Sequence, residues 1–224
     1  MWLKAELIEI CKLIHEKGFV AATDGNISVR LDNQKILCTP SAISKGKVKQ
    51  DELVAIDLEG KVLFGNKKPS TELALHLEIY KSREDVNAVI HAHPIYATGF
   101  ASSKLALSSC VFPEVILGLG VVPVCTYATP ATHEVVDSIK PFLNQTNILL
   151  LQNHGAVSFG TNLWDAYYKM EKLEHAAHTL FVAKMLGGEN VLTQDQMNKL
   201  YEVNENIYKI PQKMKIPCEP FKDE

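Results

Sequence analysis

The sequence predicts a single-domain, three-layer α/β/α sandwich around a mostly antiparallel or mixed sheet. Three observations carry that prediction. Short apolar runs joined by tight turns recur through the first third of the chain, a pattern of hairpins rather than parallel crossovers. Segments with helical spacing of apolar residues alternate with them and fill the last third. The length, 224 residues with 46% hydrophobic and 22% charged residues, suits one large domain and excludes a disordered chain or a long coiled coil.

The elements follow in order. Leu3, Leu7, Ile10, Cys11 and Ile14 share one helical face, and Gly18 supplies a stop. Thr23-Asp24-Gly25-Asn26 is a turn cluster. Residues 27–31 and 35–38 flank Asp32-Asn33-Gln34 as a hairpin, 40–46 is a loop, and 53–57 pairs with 61–64 across Glu59-Gly60. A helix is expected over 71–83, with Ser70 or Thr71 as its N-cap. Residues 88–93 form a short strand, and Pro94 permits a helix just beyond it. A strand over 121–127 precedes a helix over 133–143, and the apolar run 147–151 is short enough for a buried strand. A long helix over 163–186 stops at Gly187-Gly188, and a last helix covers 194–208. The domain is expected to span 1–210, with 156–224 mainly helical and 211–224 an irregular tail containing Pro211, Pro217 and Pro220.

Charge and cysteine usage exclude several functions. Lys plus Arg is 23 and Asp plus Glu is 26, a net charge of −3. No basic excess exists to neutralise a phosphate backbone, so no nucleic-acid partner is expected. Cys11, Cys38, Cys110, Cys125 and Cys218 are odd in number and lack C-x-x-C spacing, which argues against a disulfide framework and a thiolate zinc site. Lys4, Glu6 and Glu9 interrupt what would be a signal-peptide core. Two stretches free of acidic and basic residues, 115–132 and 141–164, are too broken by Gly and Pro, or too rich in Asn and Gln, to cross a bilayer. The expectation is a soluble cytoplasmic protein without a membrane partner.

Eight histidines stand out. His15, His76 and His133 fall on expected helices as ordinary hydrogen-bonded or solvated residues, and His175 and His178, one turn apart, read as structural or inter-subunit. His91 and His93 differ. They end the apolar Ala88-Val89-Ile90 run two residues apart, so strand periodicity puts both imidazoles on one face. Two polar rings there cost desolvation unless something binds them. His154 ends a second apolar run within Asn153-His154-Gly155, where Gly155 would let the backbone approach a ligand. Three histidines from two strand ends can bind a divalent ion and leave positions open for substrate. Glu72, at an expected helix start, is the candidate acid/base, with helix capping as its bland alternative. Ser70, Thr71, the 23–26 turn and Ser41 offer N–H and hydroxyl groups for an anion.

Together these segments resemble the class II aldolase/adducin family, particularly its L-fuculose-1-phosphate aldolase-like members. The matching stretches are Thr23-Asp24-Gly25-Asn26-Ile27-Ser28-Val29-Arg30, Thr39-Pro40-Ser41, Pro69-Ser70-Thr71-Glu72, REDVNAVIHAHP over 83–94, Tyr127-Ala128-Thr129 and Leu151-Gln152-Asn153-His154-Gly155. The resemblance implies an α/β/α sandwich around a mostly antiparallel sheet, and homotetramers with active sites at subunit interfaces. It implies zinc, or another divalent ion such as Mn2+, Co2+ or Fe2+, on His91, His93 and His154. Glu72 would be the catalytic acid/base and would occupy the metal in the resting enzyme. Gly25, Asn26, Ser41, Ser70 and Thr71 would bind the phosphate of a small phosphorylated sugar.

Three positions depart from that family. Asp24 stands where small or hydroxyl residues are common, and Ala42 where many relatives have glycine. Phe112 stands near a catalytic tyrosine position, with Glu114 close to where acidic catalytic residues sit in epimerase and dehydratase relatives. Glu114 reads either as catalytic or as a solvated loop carboxylate, and Tyr208 is a second candidate for the group on the aldehyde side. The implied activity is a lyase of carbohydrate metabolism, a reversible class II aldolase. It would cleave a fuculose-1-phosphate-like or deoxyribulose-1-phosphate-like ketose to dihydroxyacetone phosphate and an aldehyde. Epimerase, dehydratase or decarboxylase chemistry on the same site is the alternative, and a non-catalytic adducin-like module the last reading.

Overall fold

The computed structural model describes residues 2–107 and 110–211. Helix α1 (Trp2–Glu16) buries Leu7, Ile10, Cys11 and Ile14 on the face its spacing predicts, and Gly18 follows at φ 72° with its N–H on the His15 carbonyl. Strands β1 (Asn26–Asp32) and β2 (Lys35–Cys38) form the first hairpin, and β3 (Val54–Asp57) and β4 (Val62–Phe64) the second. Along β1, Ile27 and Val29 enter one core, so period-two alternation sends Asn26, Ser28 and Arg30 to the opposite face.

Beyond them lie α2 (Leu73–Ser82), β5 (Ala88–Ala92), α3 (Ile95–Ser102), α4 (Pro113–Gly118), β6 (Val124–Cys125), α5 (His133–Ile139), β7 (Ile148–Leu151), β8 (Gly155–Gly160), α6 (Leu163–Met185) and α7 (Gln194–Val203). The sheet order is β4-β3-β2-β1-β5-β8-β7-β6. Every pairing is antiparallel except β6 with β7. Helices α1, α3 and α6 cover one face around Ile10, Ile27, Ile90 and Met170. Helices α2 and α5 cover the other around Ile56, Ile79, Ile139 and Phe159. The fold is therefore the expected single-domain α/β/α sandwich. A satellite cluster joins Ile116 and Leu117 of α4 to Met197 and Tyr201 of α7.

The structure corrects several boundaries. Strand β8, a central strand, lies in the stretch read as mainly helical. Its register pairs Leu151 with Gly155 across a three-residue turn, with Asn153 at φ 57°, a left-handed conformation that asparagine tolerates. Of the strand expected over 121–127 only Val124–Cys125 joins the sheet, and Val122 bridges Leu107 instead. Helix α4 was not anticipated, although Pro113 in its first turn is a fitting start signal. The helix expected over 133–143 ends at Ile139 in a 3-10 turn, and the one expected over 194–208 ends at Val203 in a π turn, Asn204–Tyr208. Of the expected tail, 212–224 lies outside the described residues, and so does Cys218. No described helix is long and apolar enough to cross a membrane.

Candidate metal centre

Sheet register builds the site. β1 and β5 pair with Asn26 opposite His91, and β5 and β8 with Ala92 opposite Ala156. The end of β5 thus lies beside both the start of β1 and the β7–β8 turn. His91 ends fully buried, His93 follows just past the strand, and His154 stands in the turn. Their ring centroids lie 4.7 to 5.0 Å apart. Gly155 permits this approach: a Cβ there would lie 2.6 Å from both the Ala92 carbonyl oxygen and a His93 ring carbon. It therefore brings the two histidine-bearing segments together. Gly25, at φ 71°, lies equally close to β5, since a Cβ would come within 2.8 Å of the His91 carbonyl oxygen.

Glu72 departs from its expected position. Helix α2 starts at Leu73, and Glu72 is the N-cap residue with φ −97° and ψ 10° and no capping hydrogen bond from its side chain. Ser70 Oγ instead accepts from the Glu72 N–H at 3.3 Å. The freed carboxylate turns to the histidines. Oε1 lies 3.1 Å from His154 Nε2 and Oε2 lies 3.6 Å from His91 Nε2, while Asn26 Nδ2 donates to Oε2 at 2.9 Å. The carboxylate thus serves the histidines rather than a capping hydrogen bond.

The protonation pattern fits a metal-binding set. His91 Nδ1 lies 2.9 Å from the Ala156 carbonyl oxygen. A carbonyl only accepts, so Nδ1 carries the proton and Nε2 turns its lone pair into the cluster. His93 Nε2 stands 3.1 Å from that lone pair. One ligand atom from each of the three histidines lies within 4.8 Å of the others, the one such group among the described residues. Nitrogens at a zinc-like bond length of about 2.1 Å in a tetrahedron stand about 3.4 Å apart, so small ring rotations close the set. Burial drives the His91 pKa down, Glu72 opposes it, and the ring stays neutral, as a ligand must be. His93 is lowered by burial and then by His154. Burial would raise the Glu72 carboxyl, but the His154 hydrogen bond and the three imidazoles outweigh it and hold it below the usual carboxylate range.

The anion-binding candidates come to the same edge. A bridge pairs Pro40 with Pro69, and the Ser41 N–H donates to the Lys68 carbonyl at 2.9 Å. This brings the Ser41 loop beside Ser70 and Thr71, and the Asn26–Glu72 bond brings β1's start to them. Asn26 Oδ1 is buried without a hydrogen-bond partner among the described residues, an unused acceptor inside the site. Asp24 directs Oδ2 toward the outer nitrogen of His93 at 3.8 Å. Glu114 and Tyr208 are not brought in. Glu114 is exposed in the first turn of α4 and Tyr208 is 59% exposed at the end of the π turn, and among the described residues no hydrogen bond or ion pair ties either to the histidines. His178 stacks on Tyr96 with centroids 3.8 Å apart, a structural contact.

Sequence reasoning missed two residues here. His76 is fully buried behind Glu72 with Nδ1 2.7 Å from Ser28 Oγ, which in turn lies 2.8 Å from the Tyr80 hydroxyl. Its position four residues after Glu72 places it on the same helix face, and that spacing was the available signal. Lys45 is the other, and nothing in Ser44-Lys45-Gly46-Lys47 distinguishes it from a surface lysine.

This fold and this histidine edge are those of a known family. Residues 5–181 match the class II aldolase and adducin N-terminal domain, and the chain belongs to that family. It is 32% identical over 183 residues to the L-fuculose phosphate aldolase of Methanococcus maripaludis, covering 81% of this chain and 97% of that one. It is 30% identical over 182 residues to the 3-oxo-tetronate 4-phosphate decarboxylase of Haemophilus influenzae, covering 80% and 86%. A solved L-fuculose 1-phosphate aldolase superposes with a TM-score of 0.82 at 33% identity, covering 91% of this chain and 96% of that one. Aldolases and decarboxylases of sugar phosphates thus share this architecture, and class II aldolases depend on a divalent metal.

Proposed function

We propose that this chain is a zinc-dependent aldolase that reversibly cleaves a small ketose 1-phosphate, of the fuculose or deoxyribulose type, to dihydroxyacetone phosphate and an aldehyde. One observation carries the reading: Glu72 gives up helix capping to place its carboxylate 3.1 Å from His154 Nε2, directly after Ser70 and Thr71. Such an arrangement sets a mobile proton between a metal-binding set and an anion-binding turn. His91, His93 and His154 would hold the ion, with Glu72 beside them in the resting state; Mn2+, Co2+ or Fe2+ suits the same donors. When bound, the ion would supply Lewis-acid stabilisation of the negative charge that develops beside the substrate carbonyl.

The chain's own residues do the rest. Gly25, Asn26, Ser41, Ser70 and Thr71 bind the phosphate and so fix the reacting carbons, binding energy spent away from the bond that breaks. In cleavage the C3–C4 bond breaks, the C4 hydroxyl loses its proton, and the electron pair moves toward C2. Glu72 then delivers to C3 a proton that it has taken up from solvent, which balances the one lost from the C4 hydroxyl.

We further infer a homotetramer whose interface completes the site. Glu114 and Tyr208, the candidates for the C4 hydroxyl proton, stand exposed and away from their own chain's histidines. Phe181, Val182, Met185 and Leu186 are exposed along α6 and its end, as an interface would need. Incubating the metal-loaded protein with a panel of ketose 1-phosphates tests the reaction. Release of dihydroxyacetone phosphate is the expected outcome. Carbon dioxide release from a 3-oxo-acid 4-phosphate, with no dihydroxyacetone phosphate from any ketose, would replace this reading with the decarboxylase one.

A further inference from the structure

Lys45 is 1% exposed, among the largest fully buried side chains of the protein. Its Nζ donates to the Thr23 carbonyl at 2.8 Å and to the Ile43 carbonyl at 3.0 Å. These carbonyls belong to the two loops that carry Gly25 and Asn26 on one side and Ser41 on the other. The ammonium therefore sits at their junction, and among the described residues one of its three N–H groups is still available.

A buried ammonium is costly. Holding two carbonyls together needs only a neutral donor, so a full charge at this position calls for an anion. Burial lowers the Lys45 pKa, while Cys11, Asp24 and Glu72 act in the opposite sense. The Cys11 thiol, pushed up to about 12 by burial, is itself neutral. Asp24 and Glu72 are thus the anions facing Lys45, and Glu72 is already engaged by His154 and Asn26. A phosphate entering the 23–26 turn would meet Asp24 as a like charge.

We propose that Lys45 is a positioning residue that sets the phosphate affinity of this pocket. Its ammonium holds the 23–26 and 41–46 loops in register and offsets Asp24 when a phosphate dianion enters. The proposal rests on the phosphate-binding reading above and adds a residue outside that binding set.

Calorimetric titration of inorganic phosphate into the metal-loaded wild type and Lys45→Met, with metal content measured for both, tests it. Phosphate should bind the wild type, and bind Lys45→Met about tenfold or more weakly, at unchanged metal content. Equal phosphate affinity in the two proteins overturns the role of Lys45 and leaves the phosphate site standing. A wild type that binds no phosphate overturns both. A residue that only ties loops together would lower the melting temperature of Lys45→Met yet leave the phosphate-induced rise intact, which also overturns the proposal. Should Lys45→Met fail to fold, the slowly exchanging Nζ resonance of Lys45 in 15N-lysine-labelled wild type decides. It should shift on phosphate titration and saturate with the calorimetric affinity; a resonance that stays in place overturns the assignment.

Discussion

The two edges of the sheet bury polar groups in opposite ways. β5 and β7 run in the same direction, each antiparallel to β8, so their starts share one edge and their ends the other. At the starting edge Arg83 is saturated. Its Nε and Nη2 donate to the two Asp85 oxygens, each at 2.6 Å, Nη1 to the Leu143 and Thr146 carbonyls at 2.6 and 3.5 Å, and Nη2 also to Asn147 Oδ1 at 2.9 Å. Five donors meet five acceptors, the full capacity of a guanidinium. At the finishing edge His91 turns a lone pair toward another imidazole 3.1 Å away, and Asn26 Oδ1 has no partner among the described residues. The saturated cluster closes a structure; the unsaturated one leaves acceptor capacity for a ligand.

Exchanging the roles of the two edges tests that contrast most strongly. Arg83→Met strands the Leu143, Thr146 and Asn147 acceptors and should cost about 3–5 kcal/mol in urea-induced unfolding, with metal binding per folded molecule unchanged. His93→Ala should do the reverse. It removes one candidate ligand from a partly exposed position, so metal affinity should fall by about a hundredfold or more while apo stability changes by about 1 kcal/mol or less. Metal titrations and unfolding curves on both variants read the two effects separately. Full metal content in His93→Ala, or metal loss in folded Arg83→Met, would break the distinction.

The edges differ again in their response to pH. The partners of Arg83, namely Asp85, Leu143, Thr146 and Asn147, include no histidine. His76, behind the histidine edge, has its pKa brought down to about 3 by burial, with Glu72 opposing the shift. An unfolded histidine takes up its proton near pH 6.5, so below that value the unfolded chain binds a proton that native His76 refuses. Stability is full above 6.5 and declines as pH falls toward 3, by about 1.4 kcal/mol per pH unit for this residue. His91, lowered in the same direction by burial, steepens the decline. Urea unfolding of the metal-free protein at pH 7, 6, 5 and 4.5 should show the slope, and His76→Phe should reduce it by about 1.4 kcal/mol per unit. An unchanged slope in that variant would show that His76 is protonated in the native protein.

What the sequence made legible follows the range of the interactions involved. The two hairpins, α1 and the His91–His93 pair rest on local periodicity and could be read directly. Strand β8 could not: Ala156, Val157, Ser158 and Phe159 are buried on both faces, so alternation is masked, and Asn153-His154-Gly155 drew notice as a site rather than as the turn it also is. Release of Glu72 from capping depends on Asn26 and His154, 46 and 82 positions away. Burial of Lys45 depends on the Thr23 carbonyl, which no local pattern announces. The exposed positions of Glu114 and Tyr208 depend on how α4 and α7 pack, which no local pattern announces either.

Backbone strain separates the edges too, on a smaller scale. Among the described residues six non-glycine positions have positive φ, and Ala22, Ala42 and Asn153 lie in the loops that bring up Gly25, Ser41 and His154. Ala131 makes a fourth, since it lines a small cavity with Glu72 and His154. None lies in the segments around Arg83, Asp85 and Leu143–Asn147. Strain of this kind persists where surrounding structure over-determines the backbone. Ala42, at φ 58°, occupies the position where the family resemblance calls for glycine. A left-handed alanine costs about 1–2 kcal/mol, and glycine gives back about 0.4–1 kcal/mol through its freer unfolded chain. Ala42→Gly should therefore raise stability by about 0.5–1 kcal/mol, read as a shift in urea midpoint at constant slope. Because the Ala42 side chain is exposed, no packing change competes with that gain. A loss of stability would show that the loop beside Ser41 relaxes out of the left-handed region in solution, and would remove strain from the features that set the histidine edge apart.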